Sequence, residues 1–223
     1  MSRTNRSKVS KVGIIDYGVS NILSVRNALN FLRYRHVCSD NPNELSDCDA
    51  LVLPGVGAFA HGMKNLKELG FTDFIRQRVG EDEIPILGIC LGMQMLAEDS
   101  EEKGFHEGLA LIPGNIRSIP AKNEYRNPHV GWNRVFTQND SPIYGSGNDY
   151  FYFDHGYHFE CEGQYVSGIF NYPSEMTASV CHNHIAGTQF HPEKSGKAGL
   201  ILLRKFMETN KIKSIDGELA RYA

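Results

Sequence analysis

Between Val12 and Val79 short apolar runs alternate with longer amphipathic stretches, and this alternation restricts the fold of the chain more than any other feature. Val12-Gly13-Ile14-Ile15 and Ala50-Leu51-Val52-Leu53 read as buried strands, whereas Ile22 to Leu32 and Met63 to Val79 carry helical spacing. Such an order predicts an α/β fold whose central, mostly parallel sheet is flanked by helices. Ligands of these sheets bind outside the carboxyl ends of the strands. Three turns are expected there: Asp16-Tyr17-Gly18, Pro54-Gly55-Val56-Gly57 and the segment around Cys90.

From about Ile112 the pattern changes to short β-like stretches, including Tyr150 to Phe153, Tyr157 to Phe159 and Ile185 to Phe190. These predict added antiparallel strands on one side of the sheet, closed by a helix from about Lys197 to Asn210. No Pro/Gly/Ser-rich linker divides the 223 residues. We therefore expect one domain over 11–212, a flexible basic arm over 1–10 and a tail over 213–223.

The 23 basic and 26 acidic residues leave a net charge of −3 without strong asymmetry, so neither a nucleic-acid face nor a membrane-surface helix is expected. No apolar run reaches the ~18 residues of a membrane span. Five cysteines without framework or metal-ligand spacing suit a reducing, cytoplasmic compartment, and no metal site is expected.

One cysteine stands apart. Gly88-Ile89-Cys90-Leu91-Gly92 lies where the apolar run Ile84 to Ile89 meets a helical stretch from Leu91 to Ala97. Glycines two before and two after leave room for a strained elbow that lifts a nucleophile out of the sheet. The helix behind it would direct free N–H groups and partial positive charge at the sulfur. A free thiol of pKa ~8.5 is only a few per cent ionised at neutral pH, so it also needs a base. His191-Pro192-Glu193 supplies one: proline biases His191 toward extended backbone, where residues i and i+2 share a side, so Glu193 can orient the ring. Attack on an amide creates an oxyanion, for which the Leu91 N–H and the Gly55-Val56 turn are the candidate donors. The turn would supply its donor after a peptide rearrangement.

These residues resemble the class I glutamine amidotransferases, whose Cys-His-Glu triad hydrolyses glutamine, and the resemblance spans nearly the whole chain. Asp16-Tyr17-Gly18 with Asn21, Leu53 to Phe59, Gly88 to Gln94, His129-Val130-Gly131-Trp132-Asn133 and Gly187 to Ser195 look like the glutaminase subunits of imidazole glycerol phosphate synthases, the histidine-biosynthesis branch. The resemblance implies a flavodoxin-like fold, a γ-glutamyl thioester on Cys90, and no cofactor. It further implies that Gly57, Gln94 and the backbone at Gly156 hold the substrate L-glutamine. The implied partner is a cyclase subunit with a (β/α)8 barrel, paired as a heterodimer through Asn21, Trp132, Asn133, Tyr152 and Lys194. Two positions depart from the family pattern: Ser20 stands where a glycine is usual, and Gly156 where Ser or Thr is usual. The triad does not separate this branch from paralogous glutaminases that serve a surface-sugar amidotransferase, nor from a stand-alone γ-glutamyl thiol hydrolase.

Overall fold

The computed structural model describes residues 9–120, 125–139, 141–144 and 148–215; the outer parts of the expected arm and tail, 1–8 and 216–223, lie outside them. In chain order the first half comprises β1 (Lys11–Ile15), α1 (Ile22–Phe31), β2 (Arg35–Ser39), β3 (Ala50–Gly55), α2 (Phe59–Glu68), α3 (Phe71–Ile75), β4 (Ile86–Cys90) and the single turn α4 (Leu91–Gln94). The second comprises β5 (Asp99–Ser100), β6 (His106–Glu107), β7 (Asn115–Ser118), β8 (His129–Arg134), β9 (Phe136–Thr137), β10 (Tyr150–His155), β11 (Tyr157–Glu160), β12 (Val166–Asn171), β13 (Glu175–His182), β14 (Ile185–Thr188) and α5 (Gly196–Thr209).

Eight strands form the main sheet in the order β2-β1-β3-β4-β14-β13-β12-β9. The first five are parallel and the remaining pairings antiparallel. Alternation along β3 explains why the sheet is covered on both faces. Ala50 and Val52 join the core under α1 and α5, whereas Leu51 and Leu53 join the core under α2 and α3. Each such aliphatic side chain contributes about 1.5–3 kcal/mol when fully buried.

Three expectations need correction. The helical stretch from Met63 to Val79 is two helices separated by Gly70 (φ 78°), because a left-handed residue ends the first helix, and the second runs into a wide π turn over Arg76–Glu81. The helix behind Cys90 is one turn, not a stretch to Ala97, so its macrodipole is slight and its unpaired N–H groups are what remain. The antiparallel strands do not all extend one side. β8 and β10 form a separate ribbon, and β11, β7, β5 and β6 form a separate four-stranded sheet that begins before Ile112. Both hang over the carboxyl ends of the central strands through the Asp154 to Tyr157 connection.

Candidate active site

Register places the expected turns together. Gly55 at the end of β3 pairs with Cys90 at the end of β4, and Thr188 at the end of β14 pairs with Ile89, so the Pro-Gly-Val-Gly turn, the elbow and the His-Pro-Glu segment leave neighbouring strands at one edge.

The elbow has the strain the sequence implies. Cys90 adopts φ 55°, ψ −109°, outside the regions favoured by residues with a Cβ, at a cost of about 1–3 kcal/mol. Its flanking glycines are required by close approach: a Cβ on Gly88 would lie 2.7 Å from the Gly92 carbonyl carbon, and one on Gly92 would collide with the Leu53 carbonyl. Cys90 is 5 % exposed. Its Sγ lies 3.7 Å from the Asp154 carbonyl and 3.7 Å from Gln189 Nε2.

His191 and Glu193 form the expected pair, Nδ1 to Oε1 2.8 Å, with each side chain 2 % exposed. Burial lowers the pKa of the imidazole, but interaction with Cys90 and with Glu193 outweighs it and pushes the ring up to about 10. Cys90 and Glu193 thus favour the protonated form of the ring. Its Nε2 and Glu193 Oε2 are buried without a hydrogen-bond partner among the described residues. A reacting group could occupy the first of these.

Val56, Gly57, Cys90, Leu91, Gln94 and Gly156 line one cavity of about 320 Å³, together with Asn127, Asp154 and Tyr157. The Leu91 N–H opens the first turn after the nucleophile, where helix geometry gives it no intrahelical acceptor. The second expected donor is occupied: Val56 N–H is bonded to the Val19 carbonyl at 2.9 Å. The Gly55-Val56 peptide must turn before it can face an oxyanion. Tyr17 sits beneath it, its hydroxyl so close to Gly55 that a Cβ there would collide with it. That hydroxyl is buried without a partner, and burial together with the charge of Cys90 raises its pKa.

Trp132, Tyr152 and Lys194 come together on an outer face. Trp132 and Tyr152 are opposite one another in the β8–β10 ribbon, their rings 6.1 Å apart and edge to face, and Lys194 Nζ stands 5.6 Å over the Tyr152 ring. Asn133 donates to the Asn171 carbonyl, and Asn21 caps α1 by accepting from Ser24 N–H. The Ser20 backbone lies outside the positive-φ region, so the turn does not demand glycine there. At the other departure, a Cβ on Gly156 would come within 2.7 Å of Asn127 Oδ1.

Sequence reasoning assigned no role to Gln189, Tyr17 or the Asp154 carbonyl. Gln189 was legible: in an extended run it shares a side with His191. The other two depend on contacts across the sheet that no local pattern signals. Among the described residues, no group of three or more His, Cys, Asp or Glu could hold a metal ion, and no helix is long and apolar enough to cross a membrane.

The model of the family "Glutamine amidotransferase class-I" matches residues 13–209. The chain is 42% identical over 203 residues to the imidazole glycerol phosphate synthase subunit HisH of Geobacillus sp. (strain WCH70), covering 87% of this chain and 95% of the relative. It is 40% identical to subunit HisH 2 of Vibrio vulnificus (strain YJ016), with 92% and 97% covered, and 41% identical to HisH of Methanocaldococcus jannaschii, with 88% and 98% covered. Among solved structures, one described as a glutamine amidotransferase superposes with TM-score 0.72 at 20% identity over 90% of this chain and 99% of that one. PurLQS from Thermotoga maritima gives 0.70 at 17% identity over 91% and 99%.

Proposed function

The chain belongs to the class I glutamine amidotransferases and, within them, to the HisH glutaminase subunits of imidazole glycerol phosphate synthase in histidine biosynthesis; from that premise we propose that Cys90, His191 and Glu193 are its catalytic triad. The observation that carries the assignment is the buried His191–Glu193 pair beside the strained Cys90 elbow, at a cavity lined by Gly57, Gln94 and Gly156.

Cys90, as the thiolate paired with protonated His191, attacks the side-chain amide carbon of L-glutamine through Sγ, and the C=O π electrons move to oxygen. The oxyanion is held by the N–H of Leu91 and, once the Gly55-Val56 peptide has turned, by that of Val56. His191, protonated because Cys90 and Glu193 raise its pKa, gives its proton to the amide nitrogen. The C–N bond breaks, ammonia leaves, and a γ-glutamyl thioester remains. His191, now neutral, takes a proton from water as the water oxygen attacks the thioester; the C–S bond breaks, glutamate departs, and the Cys90 thiolate and protonated His191 are restored. Glu193 holds the ring in place throughout.

The chain is one half of a synthase, and we assign the acceptor of its ammonia to a (β/α)8 cyclase paired with it as a heterodimer in the cytoplasm. Trp132, Asn133, Tyr152, Lys194 and Asn21 form the docking face in this assignment. It is supported by their grouping around the β8–β10 ribbon and the turn after His191.

The test is covalent trapping with the glutamine analogue 6-diazo-5-oxo-L-norleucine. One adduct on Cys90, absent from Cys90→Ala, is expected, together with glutaminase turnover that rises when a cyclase and its nucleotide ligand are added. Labelling elsewhere, or hydrolysis surviving in Cys90→Ala, would refute the triad.

A further inference from the structure

Gln189 is fully buried, belongs to no step of the mechanism above, and touches the nucleophile. The orientation of its amide can be worked out from chemistry alone. The Tyr157 carbonyl only accepts hydrogen bonds, and it receives two: one from His155 Nδ1 at 2.8 Å and one from Gln94 at 3.0 Å. The Gln94 atom facing it is therefore Nε2. The other hydrogen on that nitrogen points to Gln189, 3.1 Å away, so the Gln189 atom there is Oε1. Gln189 Nε2 must then face Cys90 Sγ, at 3.7 Å. His155 supports the arrangement from behind, since burial keeps it neutral and its Nε2 lies 3.2 Å from His129 Nδ1.

Both hydrogens of Gln94 Nε2 are thus committed, and among the described residues its Oε1 receives no hydrogen bond. Gln94 lines the cavity with an acceptor to offer. We propose that Gln189 is a positioning residue of the glutaminase reaction: its amide N–H donates to the Cys90 sulfur, while its carbonyl fixes Gln94 with the oxygen toward the substrate. The inference rests on the glutaminase assignment only for its substrate arm. The contact with sulfur acts whatever Cys90 attacks.

A donor aimed at sulfur favours the anion that reacts, and an acceptor aimed into the cavity favours the N–H groups of the substrate. Two variants separate the arms. Gln189→Met keeps the volume and loses both contacts, so iodoacetamide alkylation of Cys90 at pH 7 should slow about 3- to 10-fold, and KM for glutamine in the cyclase complex should rise by a similar factor. Gln189→Glu keeps an acceptor for Gln94 but sets a carboxylate against the sulfur. Alkylation and kcat should fall more than 10-fold while KM stays within about 3-fold of the parent. In the unaltered protein, the Gln189 side-chain ¹⁵N amide resonances should move when Cys90 is alkylated. Unchanged resonances, unchanged alkylation in both variants, or the same KM shift in both would overturn the proposal. Loss of the glutaminase assignment would appear differently, as a parent complex that does not turn over glutamine while alkylation and resonances still respond to Gln189.

Discussion

Replacing Glu193 by Gln keeps its size and an acceptor but removes the charge that supports protonated His191 at 2.8 Å. The imidazole then loses part of its hold on the proton that ammonia needs, and its tautomer is no longer fixed. kcat should fall about 10²- to 10⁴-fold with little change in KM, measured on the cyclase complex. A different pair of residues governs acid stability. Burial lowers His129 to about 4 and His155 to about 3, so the unfolded chain binds these protons below pH 6.5 while the folded chain refuses them. Stability should drop by about 2 kcal/mol per histidine between pH 6.5 and pH 5. His191 acts in the opposite sense: raised to about 10, it stabilises fully below pH 6.5 and loses that contribution as pH climbs through 10. Urea titrations at pH 5 and 7 check this, and His155→Gln should flatten the acid slope. If parent and variant fall equally between the two pH values, other groups control acid unfolding.

The elbow, as an element, depends on close backbone approach rather than on its helix. The polypeptide after Cys90 turns back over β3 so tightly that a methyl at Gly92 meets the Leu53 carbonyl, a backbone atom that cannot give way alone. Gly92→Ala should cost about 3 kcal/mol or more, visible as a lower urea midpoint, whereas Gly57→Ala, whose Cβ meets nothing within 4 Å, should disturb only its own positive φ. This also shows which parts of the fold the sequence could disclose. Gly-x-Cys-x-Gly and His-Pro-Glu are local patterns whose spacing states their geometry, and β1, β3 and β4 are continuous apolar runs. The end of α2 at Gly70 was hidden inside an unbroken helical periodicity. The separate ribbon of β8 and β10 was hidden because strand pairing is not local. Gln189 shows the limit most clearly: its side of the strand could be read from alternation, but its contact with Cys90 spans 99 positions and exists only once β14 lies beside β4.

At the scale of the whole molecule, the proposed docking face and the proposed triad share hydrogen bonds. His191 N–H donates to the Tyr152 carbonyl at 2.8 Å, Ser195 Oγ donates to the His191 carbonyl at 2.6 Å, and Tyr152 N–H donates to the same Ser195 Oγ at 3.0 Å. A partner seated on Trp132, Tyr152 and Lys194, as proposed, would press on the backbone that carries His191. The other control point is Val56, whose N–H is held by Val19 two residues before the Asn21 cap. Both routes begin at residues assigned to the interface, so the isolated chain should be a weak glutaminase. Trp132, 57 % exposed and the single tryptophan, reports the first event directly. On titration with a cyclase its emission should shift to the blue as the indole leaves water. Trp132→Ala should weaken assembly by about 2 kcal/mol or more, roughly 30-fold in Kd, as expected of a buried aromatic anchor. At saturating cyclase the variant should recover much of its glutaminase activity if Trp132 serves docking alone, and should stay slow if the Trp132–Tyr152 contact also transmits the signal to His191. An emission spectrum that does not move on binding would place the partner on another face.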